Sequence, residues 1–420
     1  MKKATIILCI LSLIWITSCI RNLTETETPT HTISLGFTTT QTGNNSLVST
    51  RQTNGLTLWI NQINAAGGIT LEDGSIIKFT AVSHDDAGDE QNVKDLYTQM
   101  IMDEDVDILF SPYTSSLTDA AAAIADEHGK LLITIGAASD ASYEKGYTSV
   151  FQTYTPASRY LAGAIDLLAH LDQDSKKIAY IHENSGYSTI VAEAARAYAE
   201  GLGYETVLMD NYEIGEVDFE SYIDDIIANE ADVVLGGGHF QDGADFTQQL
   251  DTSDVDLDFL ALLVAPPEPE FTDIGDAALG VIGPSQWEAS VKFSPESAAD
   301  TGLEWFGPLN DDFIEAYETA YNEEPSYHSM GGYAAGLILQ KAILDANATS
   351  TAAVVTALNE MDILTCYGHI KFDTSTAAHG LQIGHDMVYI QWQEDDADNL
   401  IKQVVWPQAG ATAEAIYPKP

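Results

Sequence analysis

The stretch SPYTSSLTDA, residues 111–120, sets four hydroxyl side chains, Tyr113, Thr114, Ser115 and Ser116, between an apolar run, VDILF, and an alanine-rich helical pattern. One hydroxyl is enough to cap a helix. The others stand where unpaired backbone N–H groups and the partial positive charge of a helix N-terminus favour a carboxylate or another acceptor-rich group. Ser115 and Ser116 are therefore candidate binding residues, one expected to cap and the other to bind. Catalysis lacks its usual carriers: SSLTD offers a serine near an aspartate but no base, and no G-x-S-x-G elbow occurs. The ten histidines form no spaced ligand set, so neither a metal nor a cofactor is expected. GGGHF, residues 236–240, follows a strand pattern but is not G-x-G-x-x-G.

The elements that must position this cluster alternate with regularity. ISLGFT, IIKFTAV, VDILF and LLITIG read as strands, and the segments between them carry helical periodicity, as with Leu56, Trp59, Ile60 and Ile63. That helix stops at Gly67-Gly68. Strands alternating with helices predict an α/β fold with a parallel sheet covered on both faces. The grammar restarts at ASRYLAGAIDLLAHL and runs through KIAYIH, ETVLMDNY, DVVLGGG and LDFLALLV, which predicts a second doubly wound unit. In open parallel sheets the ligand sits outside the carboxyl ends of the strands, which is where the hydroxyl cluster falls.

Composition bounds the setting. Seventeen Lys plus Arg against 64 Asp plus Glu give a net charge of −47, spread along the chain, which disfavours nucleic acid and anionic lipid surfaces. A solvated acidic surface screened by a salty exterior is preferred over an acidic interface. Lys2, Lys3 and the apolar run ATIILCILSLIWI read as a signal peptide over residues 1–18. ITSC resembles a lipobox, so Cys19 is expected to be the lipidated first residue of the mature protein; an uncleaved anchor helix and an ordinary signal with a chance cysteine are the alternatives. Residues 19–32, threonine-rich and acidic, read as a flexible tether. The protein is thus placed outside the cytoplasm, held to the membrane by its lipid alone. Cys366 reads as a small core side chain.

Several segments occur together in a recognisable order: INAAGGI after the first helix, VSHDDAGD, VDILFSPYTSSLT, LLITIGAAS, VFQTYTP, KIAYIHENSGY and SYHSMGGYAAGLIL. The chain resembles the type I periplasmic binding proteins over nearly all its mature length, most of all the leucine/isoleucine/valine-binding group of ABC transporter substrate-binding proteins. The resemblance implies two Rossmann-like lobes joined by three hinge crossings, near Thr155, near Pro284 to Trp287 and near Cys366 to Gly368. The lobes would be 33–155 with 287–365, and 156–286 with 366–420. It further implies a monomer that closes on a small polar organic solute and hands it to an ABC permease. An extracellular sensing module is the alternative. The resemblance assigns ligand contacts to Ala137, Ala138 and Ser139, largely through backbone groups, to Tyr187, and to His239 or its neighbour Phe240. The amino-acid binders carry an acidic partner for the ligand ammonium where this chain has Val264 and Ala265, with Glu268 only a few residues later, so ammonium recognition is in question. Trp287 offers a face to a ligand or packs as a hinge aromatic.

Overall fold

The computed structural model describes residues 29–174 and 176–420. The leader, Cys19 and residues 19–28 of the expected tether lie outside them. Strands β1 (Thr30–Thr39), β2 (Ile69–Thr70), β3 (Ile76–Asp85), β4 (Ile108–Phe110), β5 (Leu131–Thr134) and β6 (Val150–Gln152) form one sheet in the order β2-β3-β1-β4-β5-β6. All its neighbours are parallel except β2 with β3. β1 takes Thr30 to Thr32 from the expected tether. These residues are exposed, and backbone pairing with β3, beginning at Thr30 opposite Ile76, holds them where apolar burial does not.

Side-chain alternation sends Ile33, Leu35, Phe37, Ile108 and Phe110 to one face, against helices α1 (Ser46–Ala65) and, later in the chain, α10 (Tyr327–Ala346). Leu109 and Leu132 point to the other face, under α2 (Glu90–Met102) and α3 (Ser115–Glu127). α1 and α10 cross at backbone contact. A Cβ on Gly55 would fall 1.8 Å from the Ser329 carbonyl oxygen, and one on Gly332 would fall 1.9 Å from that of Gln52. This glycine-made crossing brings Arg51 on α1 and His328 on α10 to one end of the first lobe.

The second sheet contains β7 (Lys177–Glu183), β8 (Glu205–Tyr212), β9 (Val233–Gly237), β10 (Phe259–Leu262) and β11 (Ile282–Ser285), all parallel. Two late strands close it antiparallel, so that its order is β16-β15-β11-β10-β9-β7-β8, with β15 at Val388–Glu394 and β16 at Leu400–Trp406. Helices α4 (Ala162–Leu171) and α5 (Gly186–Leu202) cover one face, and α6 (Glu220–Ala228) and α7 (Phe240–Asp251) the other. The segment 284–308, which reads as loop, contains α8 (Pro295–Thr301) and β12 (Glu304–Trp305). A Ser294 cap and Pro295 start this helix, and Gly302 in the left-handed region ends it. Helices α9 (Asn310–Tyr321) and α11 (Thr351–Glu360) flank α10 in the chain.

The chain passes between the sheets three times, and one side chain ties the passages together. Gln286 accepts from the Thr155 N–H (3.0 Å) and the Tyr367 hydroxyl (3.1 Å), donates to the Tyr160 hydroxyl (2.9 Å), and offers its carbonyl to His385 Nε2 (2.8 Å). The third passage differs from the expectation. After β13 (Asp362–Leu364) and β14 (His369–Lys371), which pair with β12 in a small sheet, the chain still runs along the first lobe. The Gln152 N–H donates to the Gly380 carbonyl, and the Gln382 N–H to the Gln152 side chain. The crossing therefore lies after Gln382, around His385, and not at Cys366 to Gly368. The pairing of β14 with β13 and these two bonds to Gln152, one to its backbone and one to its side chain, keep residues 369–382 with the first lobe.

Candidate functional site

The first-lobe wall grows from the carboxyl ends of β4, β5 and β6. Thr114, not a serine, caps α3: its hydroxyl accepts from the Leu117 N–H at 3.4 Å. Thr114 has φ +75°, a costly conformation for a β-branched residue. It frees Ser115, whose oxygen accepts from the N–H groups of Ala138 (3.3 Å) and Ser139 (3.2 Å). With both lone pairs used, the Ser115 proton remains to be donated. Ser111 braces the same corner, accepting from the Ile135 N–H at 3.1 Å. Tyr113 and Tyr154 complete this wall, and Tyr327 and His328 enter from the first turn of α10.

The second-lobe wall comes from the ends of β7, β9 and β10. Tyr187 stands in the first turn of α5, and His239 immediately precedes α7. Its imidazole Nδ1 lies 3.3 Å from Glu183 Oε1, and its backbone N–H donates to Asp242 (2.8 Å), which also receives the Tyr212 hydroxyl. Burial works to lower the His239 pKa, but the hydrogen bond and charge of Glu183, with the charge of Asp242, outweigh it and hold it above its usual value. Val264, at φ +55°, is a second strained residue at the site.

Between the walls lies a small cavity lined by Tyr113, Tyr154, Tyr160, Tyr187 and Tyr327 with His239, His328, Ser115 and small neighbours. None of its lining residues is a carboxylate. Burial raises the phenols of Tyr113, Tyr154, Tyr187 and Tyr327 well above their usual range, so all stay neutral hydroxyls. The Tyr154 hydroxyl is buried with no hydrogen-bond partner, and that of Tyr187 points toward Tyr160 without bonding geometry. Buried polar groups left open in this way mark a surface built to receive a hydrogen-bonding solute. A wider mouth, about 810 Å³, shares Thr114, Ser115, Tyr187 and His239 with the cavity and leads outward past Ser116 and Ser139.

Behind His328 the lobes are clasped. Glu268, on the loop after β10, is fully buried; its Oε1 meets His328 Nδ1 at 2.7 Å and its Oε2 meets Arg51 at 2.6 Å. Arg51 also holds Glu270 through two contacts, at 2.5 and 2.7 Å. Burial alone would raise the Glu268 pKa, but His328 and Arg51 override it and hold it at about 2.

Of the residues singled out in the sequence, Ser115, Ala138, Tyr187 and His239 line the cavity together, and Ser116 and Ser139 stand at its mouth. Phe240 is only half-buried and packs against the second-lobe core. Ala137 is buried but not on the cavity surface. Trp287 is not at the cavity either. Its Nε1 donates to Asn310 (2.7 Å) and its ring packs edge-on to Phe313, the hinge-aromatic arrangement. Cys19 lies outside the described residues. Cys366 is buried, and burial raises its thiol to about 12. Sequence reasoning missed Tyr154, Tyr160, Tyr327, His328, Glu183 and Arg51. Two of the segments that carry the family resemblance, VFQTYTP and SYHSMGG, contain Tyr154, Tyr327 and His328.

Comparison with known proteins follows this geometry. A family profile described as periplasmic binding protein matches residues 32–398. A Leu/Ile/Val-binding protein homolog 7 from Brucella suis is 28% identical over 388 residues, covering 89% of this chain and 91% of its own. A branched-chain amino acid transporter substrate binding protein from Streptococcus pneumoniae, solved with isoleucine, superposes with TM-score 0.71 at 21% identity, covering 89% of this chain and 100% of its own. An ABC transporter solute binding protein from R. palustris, solved with 4-hydroxybenzoate, superposes with TM-score 0.73 at 18% identity, covering 93% and 98%.

Proposed function

The chain belongs to the periplasmic binding protein family, and we propose that it captures a small ring-bearing carboxylic acid without an ammonium group, outside the cytoplasm, for delivery to an ABC importer. The observation that carries this reading is the pairing of Glu268. Glu268, the carboxylate that follows the Val264–Ala265 position where the amino-acid binders carry their acid, has both oxygens occupied by the protein's own Arg51 and His328. A cationic ligand group would enter a cavity whose lining is phenols, imidazoles and small residues with no carboxylate, at a desolvation cost. A carboxylate, by contrast, would meet the Ser115 hydroxyl, the first-turn N–H groups of α3 and the raised-pKa His239. The tyrosine rings would sandwich an aromatic or other flat body. Structural neighbours solved with 4-hydroxybenzoate and benzoate support the ligand class, while the neighbour solved with isoleucine marks the competing one.

In this reading the two lobes close by hinge bending about the Gln286 hub, and the protein works as a monomer tethered through lipidated Cys19. The test is a thermal-shift panel of benzoate, 4-hydroxybenzoate, leucine and isoleucine at saturating concentration. A ligand at a hundred times its Kd raises unfolding free energy by about 2.7 kcal/mol, a shift of several degrees. The reading predicts shifts with the aromatic acids and none with the amino acids; a shift with leucine alone ends it.

A further inference from the structure

We infer that Arg51 is a specificity-determining residue: its guanidinium, carried on the first lobe, fills the Glu268 carboxylate of the second lobe in the place of a ligand cation. This deepens the proposed function and rests on its reading of the cleft. Three observations carry it. First, Glu268 stands at the cavity wall in electrostatic terms, since its charge reaches the Tyr113 and Tyr154 phenols and adds to the rise that burial gives them. Second, the bond crosses between lobes, from α1 to the loop after β10. Third, Arg51 is over-partnered for a mere packing residue. It is buried, it meets Glu268 and Glu270 within 2.7 Å and Glu323 at 3.7 Å, and its Nε remains buried without a partner. The protein thus brings its own positive charge to the buried acid on the loop after β10. His328, which lines the cavity, bonds that acid directly.

The experiment uses benzylamine and benzoate, which share a ring and differ in charge, in titration calorimetry on the full mature chain. Wild type is expected to give no binding heat with benzylamine. Arg51→Met, checked for folding by near-ultraviolet circular dichroism, is expected to bind benzylamine at least tenfold more tightly than wild type. The gain should disappear in Arg51→Met/Glu268→Gln, and Arg51→Lys, which keeps the cation, should show none. A folded Arg51→Met that ignores benzylamine, or a gain that survives Glu268→Gln, overturns the inference. Should Arg51→Met not fold, Arg51→Gln, which removes the charge and keeps a hydrogen-bonding side chain, takes its place, and its failure to gain benzylamine binding overturns the inference equally. Benzoate on wild type is the separate arm. If benzoate is silent while Arg51→Met gains benzylamine, the ligand reading fails and the role of Arg51 stands.

Discussion

Two histidine–carboxylate pairs border the cavity, and they are built for opposite ends. Glu183 and His239 both belong to the second lobe, at the ends of adjacent strands, and the pair leaves one carboxylate oxygen without a hydrogen bond. Glu268 and His328 belong to different lobes, meet at 2.7 Å, and leave no oxygen open because Arg51 takes the other. In the first pair the imidazole is the favoured proton holder: burial opposes protonation, but Glu183 and Asp242 prevail and the His239 pKa is raised. In the second, burial prevails and the His328 pKa is lowered, leaving a neutral ring that donates Nδ1–H to an acid kept ionised beside Arg51. The same two residue types therefore make a pair within one lobe, with its imidazole pKa raised, in one place and a clasp between lobes in the other.

The largest effect should come from breaking the clasp. Arg51→Ala leaves Glu268 buried beside a neutral histidine, and removing one partner of a buried ion pair costs about 3–5 kcal/mol. Because the pair spans the lobes, the closed form bears that cost and can relieve it by opening to water. Small-angle scattering should show a larger radius of gyration for Arg51→Ala than for wild type, with Arg51→Ala/Glu268→Ala returning toward the wild-type value. Equal radii for wild type and the single variant would show that the clasp does not hold the lobes.

Breaking the other pair should leave the shape intact and weaken the ligand. In Glu183→Gln the imidazole loses the larger of the two partners that raise it, so its pKa falls and a protonated ring is less favoured. A hydrogen bond to a charged group contributes about 1.5–3 kcal/mol, so carboxylate affinity should fall roughly tenfold to a hundredfold. An unchanged Kd from calorimetry would remove His239 from the ligand site.

How far these pairs could be read in advance is instructive. The α/β alternation and the hydroxyl corner at residues 111–120 are local patterns, and capping chemistry alone pointed to Ser115 even though the cap itself proved to be Thr114. The clasp has no local signature. Arg51 sits 217 residues from Glu268, in a helix whose other residues advertise only apolar packing and a glycine crossing. The third crossing escaped for the same reason, since the bonds of the Gly380 carbonyl to the Gln152 N–H and of the Gln382 N–H to the Gln152 side chain join segments about 230 residues apart.

Titration sharpens the contrast through its sign. His239, with a folded pKa above the 6.5 of the unfolded chain, adds stability that is complete below that pH and lost as pH rises through the folded value. His328, with a folded pKa below 6.5, does the reverse, because acid protonates the unfolded chain first. Glu268, held at about 2 against an ordinary 4.5, contributes above pH 4.5 and loses its contribution only as pH falls through 2, so it is constant across a scan from pH 5 to 9. Melting temperatures over that range should separate the variants. His239→Gln should lose most stability at the acid end, and His328→Gln should lose the acid-side decline. Identical pH slopes in the two variants would abolish the distinction between the pairs.

The smallest effect is expected from Trp287, which lies just past the Gln286 hub and touches neither pair. Its indole N–H is bonded to Asn310, whose own amide closes on the carbonyls of Ala289 and Val291, so Trp287→Phe removes one buried hydrogen bond and leaves most of the packing against Phe313. That should cost about 0.5–1.5 kcal/mol of unfolding free energy in urea titration and leave benzoate affinity within twofold of wild type. The variant thereby serves as the reference for both pairs. A residue at a crossing can be lost with a stability penalty alone, whereas Glu183 should register in affinity and Arg51 in closure. A tenfold loss of ligand affinity in Trp287→Phe would mean that the crossing itself shapes the cavity, and the division of labour between the two pairs would have to include it.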